Sequence, residues 1–177
     1  DGSTYNESFV RALMPGVSAV LVNMSYRTQG FYVKKGNPKH ITGWEDLRRK
    51  DITILNRRPG SSARVLMDVQ LKKMGISPSS IRGYRTVMNS HLTVASAIAA
   101  GEADLAIGTE RVSRQIEELD FIPLIDERFD LAIRADALSM PAVEKMLAIL
   151  RSDVFQKEIS AFSGNDYRDI GKIMMED

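Results

Sequence analysis

The chain contains no cysteine. That excludes disulfides, thiolate metal ligands and cysteine nucleophiles, while leaving the compartment open. Histidine is almost as scarce: there are two, His40 and His91, and their separation fits no helical metal-ligand spacing. Neither sign of charge dominates. Lys and Arg number 24 against 23 Asp and Glu, a net charge of +1, so the electrostatics give no mandate for nucleic acid or a membrane surface. Long apolar runs are missing too. The longest, residues 18–24, falls well short of the roughly 20 residues a membrane-spanning helix needs. No signal-peptide pattern stands at the start, which is Asp1 rather than Met. Familiar catalytic signatures are also lacking. Gly60-Ser61-Ser62 is not a G-x-S-x-G elbow, there is no G-K-[ST] loop, and no paired acid/base set stands out. A non-catalytic protein is expected, with no cofactor and no metal.

What remains is an ordinary globular composition. With 177 residues, 44% of them hydrophobic and 27% charged, the chain suits a packed core in one or two domains. Its organising stretch is residues 52–64. Ile52, Ile54 and Leu55 read as a short buried strand, Pro59-Gly60 stops it, and Ser61 takes the N-cap position of a helix carrying Val65, Leu66 and Val69 on one face. That helix ends near Met74, before Gly75. Before this stretch, a helix over 6–14 is capped by Asn6 and turns Phe9, Val10 and Leu13 inward. Strands over 17–24 and 30–34 are joined through Arg27-Thr28-Gln29. Thr42 and Glu45 fit a capping box, with Trp44 as a packing residue.

After the organising stretch come a strand over 84–88, an alanine-rich helix over 92–100 closed by Gly101, and a strand over 103–107. A helix over 110–119 follows Gly108-Thr109. Strands over 121–124 and 129–133 are separated by Asp126-Glu127-Arg128, a solvated charge cluster on this reading. The stripe Val143, Met146, Leu147 and Leu150 marks a helix with Pro141 in its first turn, and Phe155, Ile159 and Phe162 mark the last. Residues 164–177 have weak periodicity and read as a docked or loose tail. Strands alternate with helices from 41 to 124, which argues an α/β fold with a mostly parallel sheet and helices on both faces.

In such sheets ligands sit beyond the carboxyl ends of the strands. Three strand-to-helix junctions present small polar groups there: Asn56 to Ser62, Asn89-Ser90-His91, and Gly108-Thr109-Glu110. A helix start carries N–H groups without intrahelical partners and partial positive charge, so it favours an anion. Arg57, Arg58 and Arg64 lie nearby. The alternative is three ordinary caps, with arginines that are merely solvated.

The chain also resembles a known family. The residues that carry the resemblance are Tyr5-Asn6, Leu21-Val22-Asn23, Tyr26-Arg27-x-Gln29-Gly30, Lys35-Gly36-Asn37-Pro38 and Gly43-Trp44-Glu45-Asp46-Leu47. Further along are Asn56-Arg57-x-x-Gly60-Ser61, Arg64-Val65-Leu66, His91-Leu92-x-Val94-Ala95, Ala100-Gly101-x-Ala103-Asp104 and Phe121-Ile122-Pro123-Leu124. In order and spacing they resemble the type-2 periplasmic-binding-protein-like (PBP-like) domain, whose members include molybdate- and tungstate-binding proteins. Other members are fused to helix-turn-helix or molybdopterin-biosynthesis proteins.

The resemblance implies two lobes that close on a ligand: residues 1–35 part of lobe one with the hinge strands, 36–124 lobe two, and 125–177 a return to lobe one. Lobe one is expected to be incomplete, the chain a piece of a longer regulator or receptor, and exposed apolar surface to favour a homodimer. The implied function is binding of a small oxyanion, molybdate or tungstate, by Asn56, Arg57, Ser61, Ser62, Arg64, His91, Gly108 and Thr109. DNA would be engaged only through a fused domain, with no membrane insertion. The compartment would be cytoplasmic in a regulator, the extracytoplasmic case staying open. One departure is Ala63, where the family pattern R-G-S-G-T-R has a hydroxyl. The alternatives are a small-organic-ligand effector domain resembling LysR-type regulators, a molybdopterin-biosynthesis-associated domain, and an interaction domain that has lost its ligand.

Overall fold

The computed structural model describes residues 6–161 and 164–176. Tyr5 of the first quoted motif and Phe162 of the last expected helix lie outside the described residues. The elements in chain order are α1 (Glu7–Leu13), β1 (Ala19–Lys34), β2 (Ile54–Arg57), α2 (Ser62–Lys73), β3 (Val87–Met88), α3 (His91–Ala100), β4 (Leu105–Thr109), α4 (Glu110–Ser113), β5 (Leu119–Arg134), α5 (Pro141–Arg151), α6 (Asp153–Ser160) and β6 (Ile173–Glu176). They fall into two compact units. One is the stretch Thr28–Asp126; the other joins the residues up to Arg27 to those from Glu127 onward. The chain passes between them twice, within β1 and within β5.

In the unit Thr28–Asp126 the strands run in the order β3-β2-β4-β1-β5. β2 is parallel to both β3 and β4, in the registers Arg57↔Met88 and Leu55↔Ala106. β1 joins antiparallel to β4, placing Gln29 opposite Thr109 and Gly30 opposite Gly108. Side chains alternate across this sheet. On one face Phe31, Val33, Ile54, Leu105 and Ile107 pack against Ala63, Met67 and Leu71 of α2. On the other, Tyr32, Leu55 and Ala106 pack against Val94, Ala95, Ala97 and Ile98 of α3. Two βα crossovers of one hand thus cover both faces. Trp44 packs on the first core, its ring edge-on to Phe31 at a centroid distance of 5.1 Å.

Among the described residues the other unit has a core of Val20, Val22, Ile133, Leu147, Leu150 and Ile170. The C-terminal stretch docks, β6 pairing antiparallel with β1 through Leu21↔Met175. α1 buries none of its residues, so Phe9 and Leu13 are exposed rather than turned inward.

Several expected boundaries shift for physical reasons. The two strands expected over 17–34 are one strand, β1, and the two over 121–133 are one strand, β5. Their polar interruptions are cross-strand partners. Arg27 pairs with Glu127, its Nε 2.7 Å from Oε1, and Thr28 Oγ1 donates to Asp126 Oδ1 at 2.8 Å. Glu127 and Arg128 are accordingly buried, not solvated, and Arg128 Nε reaches Asp130 at 2.7 Å. The buried face of α2 is Ala63, Met67 and Leu71, at i, i+4 and i+8, while Val65 and Val69 are exposed. The cap near Trp44 is closed by Asp46 rather than Glu45: its carboxylate accepts the Thr42 N–H at 2.7 Å and the Gly43 N–H at 3.2 Å. The strand expected over 84–88 shortens to β3, and the helix expected over 110–119 shortens to α4, because Leu119 already begins β5.

Candidate functional site

The carboxyl ends of β2 and β4 and the starts of α2 and α3 lie in the unit Thr28–Asp126. Strand register fixes which side chains leave the sheet on which face. Asn56, Thr109 and Gln29 share the α2 face with Ile54, Ile107 and Phe31; Arg57 and Gly108 share the α3 face with Leu55, Ala106 and Tyr32.

On the α2 face, Ser61 is the N-cap of α2. Its Oγ accepts the Arg64 N–H at 3.3 Å and donates to the Arg58 carbonyl at 2.8 Å. Ser62 opens the helix, and its Oγ accepts from Gln29 Nε2 at 3.3 Å. Asn56 is buried and structural: its Nδ2 donates to the Tyr84 carbonyl at 3.2 Å and its Oδ1 accepts the Arg57 N–H at 3.1 Å. Arg64 turns along the flank of α2, with Nε 2.9 and 3.0 Å from the Asp68 carboxylate oxygens and its guanidinium 4.2 Å over the Tyr84 ring.

On the α3 face, Arg57 is not a solvated charge. It is 8% exposed. Its Nη2 donates to the Asn89 carbonyl at 3.2 Å, and its Nε and Nη1 have no protein partner. Burial lowers its pKa, and the neighbouring Arg58 charge pushes the same way. Ser90 caps α3 by accepting the Thr93 N–H at 3.0 Å, which puts His91 in the first turn. Tyr32 donates to the Thr109 carbonyl at 2.9 Å, and burial pushes its phenol up to about 12. Gly108 serves that ring: a Cβ there would sit 1.9 Å from Tyr32 Cζ.

The first junction is thus linked separately to each of the other two. Ser62 touches Gln29, Gln29 pairs with Thr109, the Thr109 carbonyl holds Tyr32, and Arg57 reaches Asn89. Arg64 and Asn56 are candidates whose head groups are engaged elsewhere. Gln29 and Tyr32 were absent from the expected set. Gln29 carried a readable signal, since it is the polar member of the alternating run Gln29, Phe31, Val33 on a core face. Among the described residues no group of three or more His, Asp or Glu side chains is arranged to hold a metal ion. No helix there is long and apolar enough to cross a membrane.

An α/β sheet whose strand ends carry helix starts, in a chain that crosses twice between two units, defines a ligand-binding or sensor domain of the periplasmic-binding-protein type. The profile of the PBP superfamily domain matches residues 1–151, and the chain belongs to that family. YvgK of Bacillus subtilis (strain 168), an uncharacterised protein, is 38% identical over 173 residues, 97% of this chain and 55% of YvgK. The chain thus spans about half the length of that relative. EhuB, solved in complex with hydroxyectoine, has a TM-score of 0.64 over 93% of this chain and 64% of its own, at 13% identity. A putative phosphate ABC transporter substrate-binding protein from Clostridium perfringens, solved with bound phosphate, has a TM-score of 0.57 over 84% of this chain and 71% of its own, also at 13% identity. These structures share the two-lobe mixed α/β fold.

Proposed function

We propose that the strand ends of the unit Thr28–Asp126 bind a small oxyanion, with molybdate and tungstate the leading ligands, and that the domain serves a longer regulator or receptor as its sensor. The observation that carries this reading is Arg57. A guanidinium 8% exposed with Nε and Nη1 unpartnered is an unstable arrangement by itself, because buried charge is tolerated when paired. An anion seated at the junctions supplies the missing acceptor through charge-assisted hydrogen bonds. First-turn N–H groups of α2 and α3, the Ser62 hydroxyl, His91 and Thr109 complete the donor set. Ser61 acts through its cap, holding the first turn of α2 in place, and Asn56 and Gly108 shape the floor. Arg64 contributes long-range charge only. The proposed role is binding, because each group of this donor set can donate a hydrogen bond to a bound anion.

Thermal unfolding of the chain with molybdate, tungstate, sulfate or phosphate tests this. A ligand bound only by the folded state stabilises it by about 2.7 kcal/mol at a hundredfold excess over Kd. The expected result is a raised midpoint with molybdate and tungstate that disappears in Arg57→Met. No shift with any of the four would falsify the reading. A shift with small organic carboxylates alone would replace it with the organic-ligand effector reading.

A further inference from the structure

Gln29 stands out because folding does not ask for it. It is fully buried, on the face of β1 that also carries Phe31 and Val33 into the core against α2. An aliphatic side chain satisfies that position without leaving polar atoms to pair. Instead a carboxamide sits there. Its Nε2 is 3.3 Å from Ser62 Oγ at the start of α2, and its Oε1 has no protein partner. Its backbone lies opposite Thr109, at the end of β4. One residue therefore touches two of the three junctions that bear the candidate anion donors, the first through its side chain and the other through its backbone. It does so from a strand position two residues beyond Arg27, where β1 leaves the other unit.

We infer that Gln29 is the positioning residue of this site, setting the Ser62 hydroxyl and the first turn of α2 at the spacing the anion needs from Thr109. The inference rests on the oxyanion reading and adds a residue and a task to it. Gln29 acts through Ser62, so its effect belongs to binding rather than to folding. The buried Oε1 gives the carboxamide a reason to turn when a ligand claims the Ser62 hydroxyl.

The test compares wild type, Gln29→Leu and Gln29→Met, each as the full chain. Midpoints are read without ligand, and Kd values are read by titration calorimetry with sodium molybdate, tungstate, sulfate and phosphate. Expected is a Kd at least tenfold weaker in Gln29→Leu for the anion wild type binds, with a ligand-free midpoint no lower than wild type. The double variant Gln29→Leu/Ser62→Ala should then lose less than the product of the two single losses, because both act through one contact. An unchanged Kd in Gln29→Leu overturns the inference and leaves the anion reading standing. A lowered ligand-free midpoint with unchanged Kd overturns it in favour of a structural role, as does failure of both the Leu and Met variants to fold. Absence of binding by wild type overturns the inference together with the reading beneath it.

Discussion

The two units bury their apolar surface differently. The unit Thr28–Asp126 has a core on each face of its sheet, one against α2 and one against α3. The unit of residues up to Arg27 and from Glu127 onward shows one core among its described residues, and many of the apolar side chains around it are only partly buried. Its α1 buries nothing, and Leu13 there is 79% exposed. Polar groups are distributed differently as well. In the first unit the buried polar groups gather at the strand ends, in Gln29, Asn56, Arg57 and Thr109. In the second they lie along the strands, where Asp130 is fully enclosed by Arg128, Asn6 and Asn23. Buried polarity that is mutually satisfied stabilises a particular pairing of strands. Open valences occur in both units, since Asn23 Oδ1 in the second is also buried without a protein partner; what sets the strand ends of the first apart is that the open valences there include those of a charged group, Arg57.

That contrast can be broken by mutation. The largest effect is expected from Leu105→Ala, at the centre of the first core. It should cost about 4 kcal/mol, as a cavity in a closed core does, whereas Leu13→Ala should change stability by less than about 0.5 kcal/mol. Urea unfolding followed through Trp44 fluorescence checks both. A large loss in Leu13→Ala would mean that α1 is covered in solution and would end the comparison. Next comes Gly108→Ala, whose new Cβ meets Tyr32 at 1.9 Å. Overpacking against a buried ring should cost about 3 kcal/mol. Gly16→Ala in the other unit meets no atom within 4 Å and should cost about 1 kcal/mol, from its left-handed backbone alone.

Smaller and opposite in sign is Arg57→Met. If the open valences at the strand ends serve a ligand, removing them should raise ligand-free stability by about 1 kcal/mol, again read by urea midpoints. A loss of similar size would mean that the Arg57–Asn89 contact holds the fold. The smallest effect is a pH dependence. Tyr32 keeps its proton in the folded chain up to about pH 12, while an unfolded tyrosine ionises near pH 10. Its contribution is therefore fully present below about pH 10 and is lost as the pH rises through 12. Tyr26 and Tyr84 are raised too, burial being the first cause for each. Tyr32→Phe should accordingly flatten the alkaline decline of the urea midpoint without abolishing it.

Local chemistry was legible in the sequence, and long-range chemistry was not. Ser61 and Gly101 could be placed because a cap depends on residues within one turn. The alternation of strands and helices was enough for the crossovers over both faces. The continuity of β1 and β5 was hidden, because Arg27 and Thr28 are satisfied by residues about a hundred positions away. The same reason hid the burial of Glu127 and Arg128. At the site, the three junctions were legible as helix starts. The burial of Arg57 and the tie between Gln29 and Ser62 were not, since both depend on which strand lies beside which.

One feature of the strand crossing reaches beyond this protein. Thr28–Asp126 is a single unbroken stretch, and its two ends are stitched to each other by the 2.8 Å bond between Thr28 Oγ1 and Asp126 Oδ1. A segment whose ends meet is a cassette. Spliced in place of a surface loop in an unrelated host, such as a fluorescent protein, it would enter and leave at nearly one point without prying the host apart.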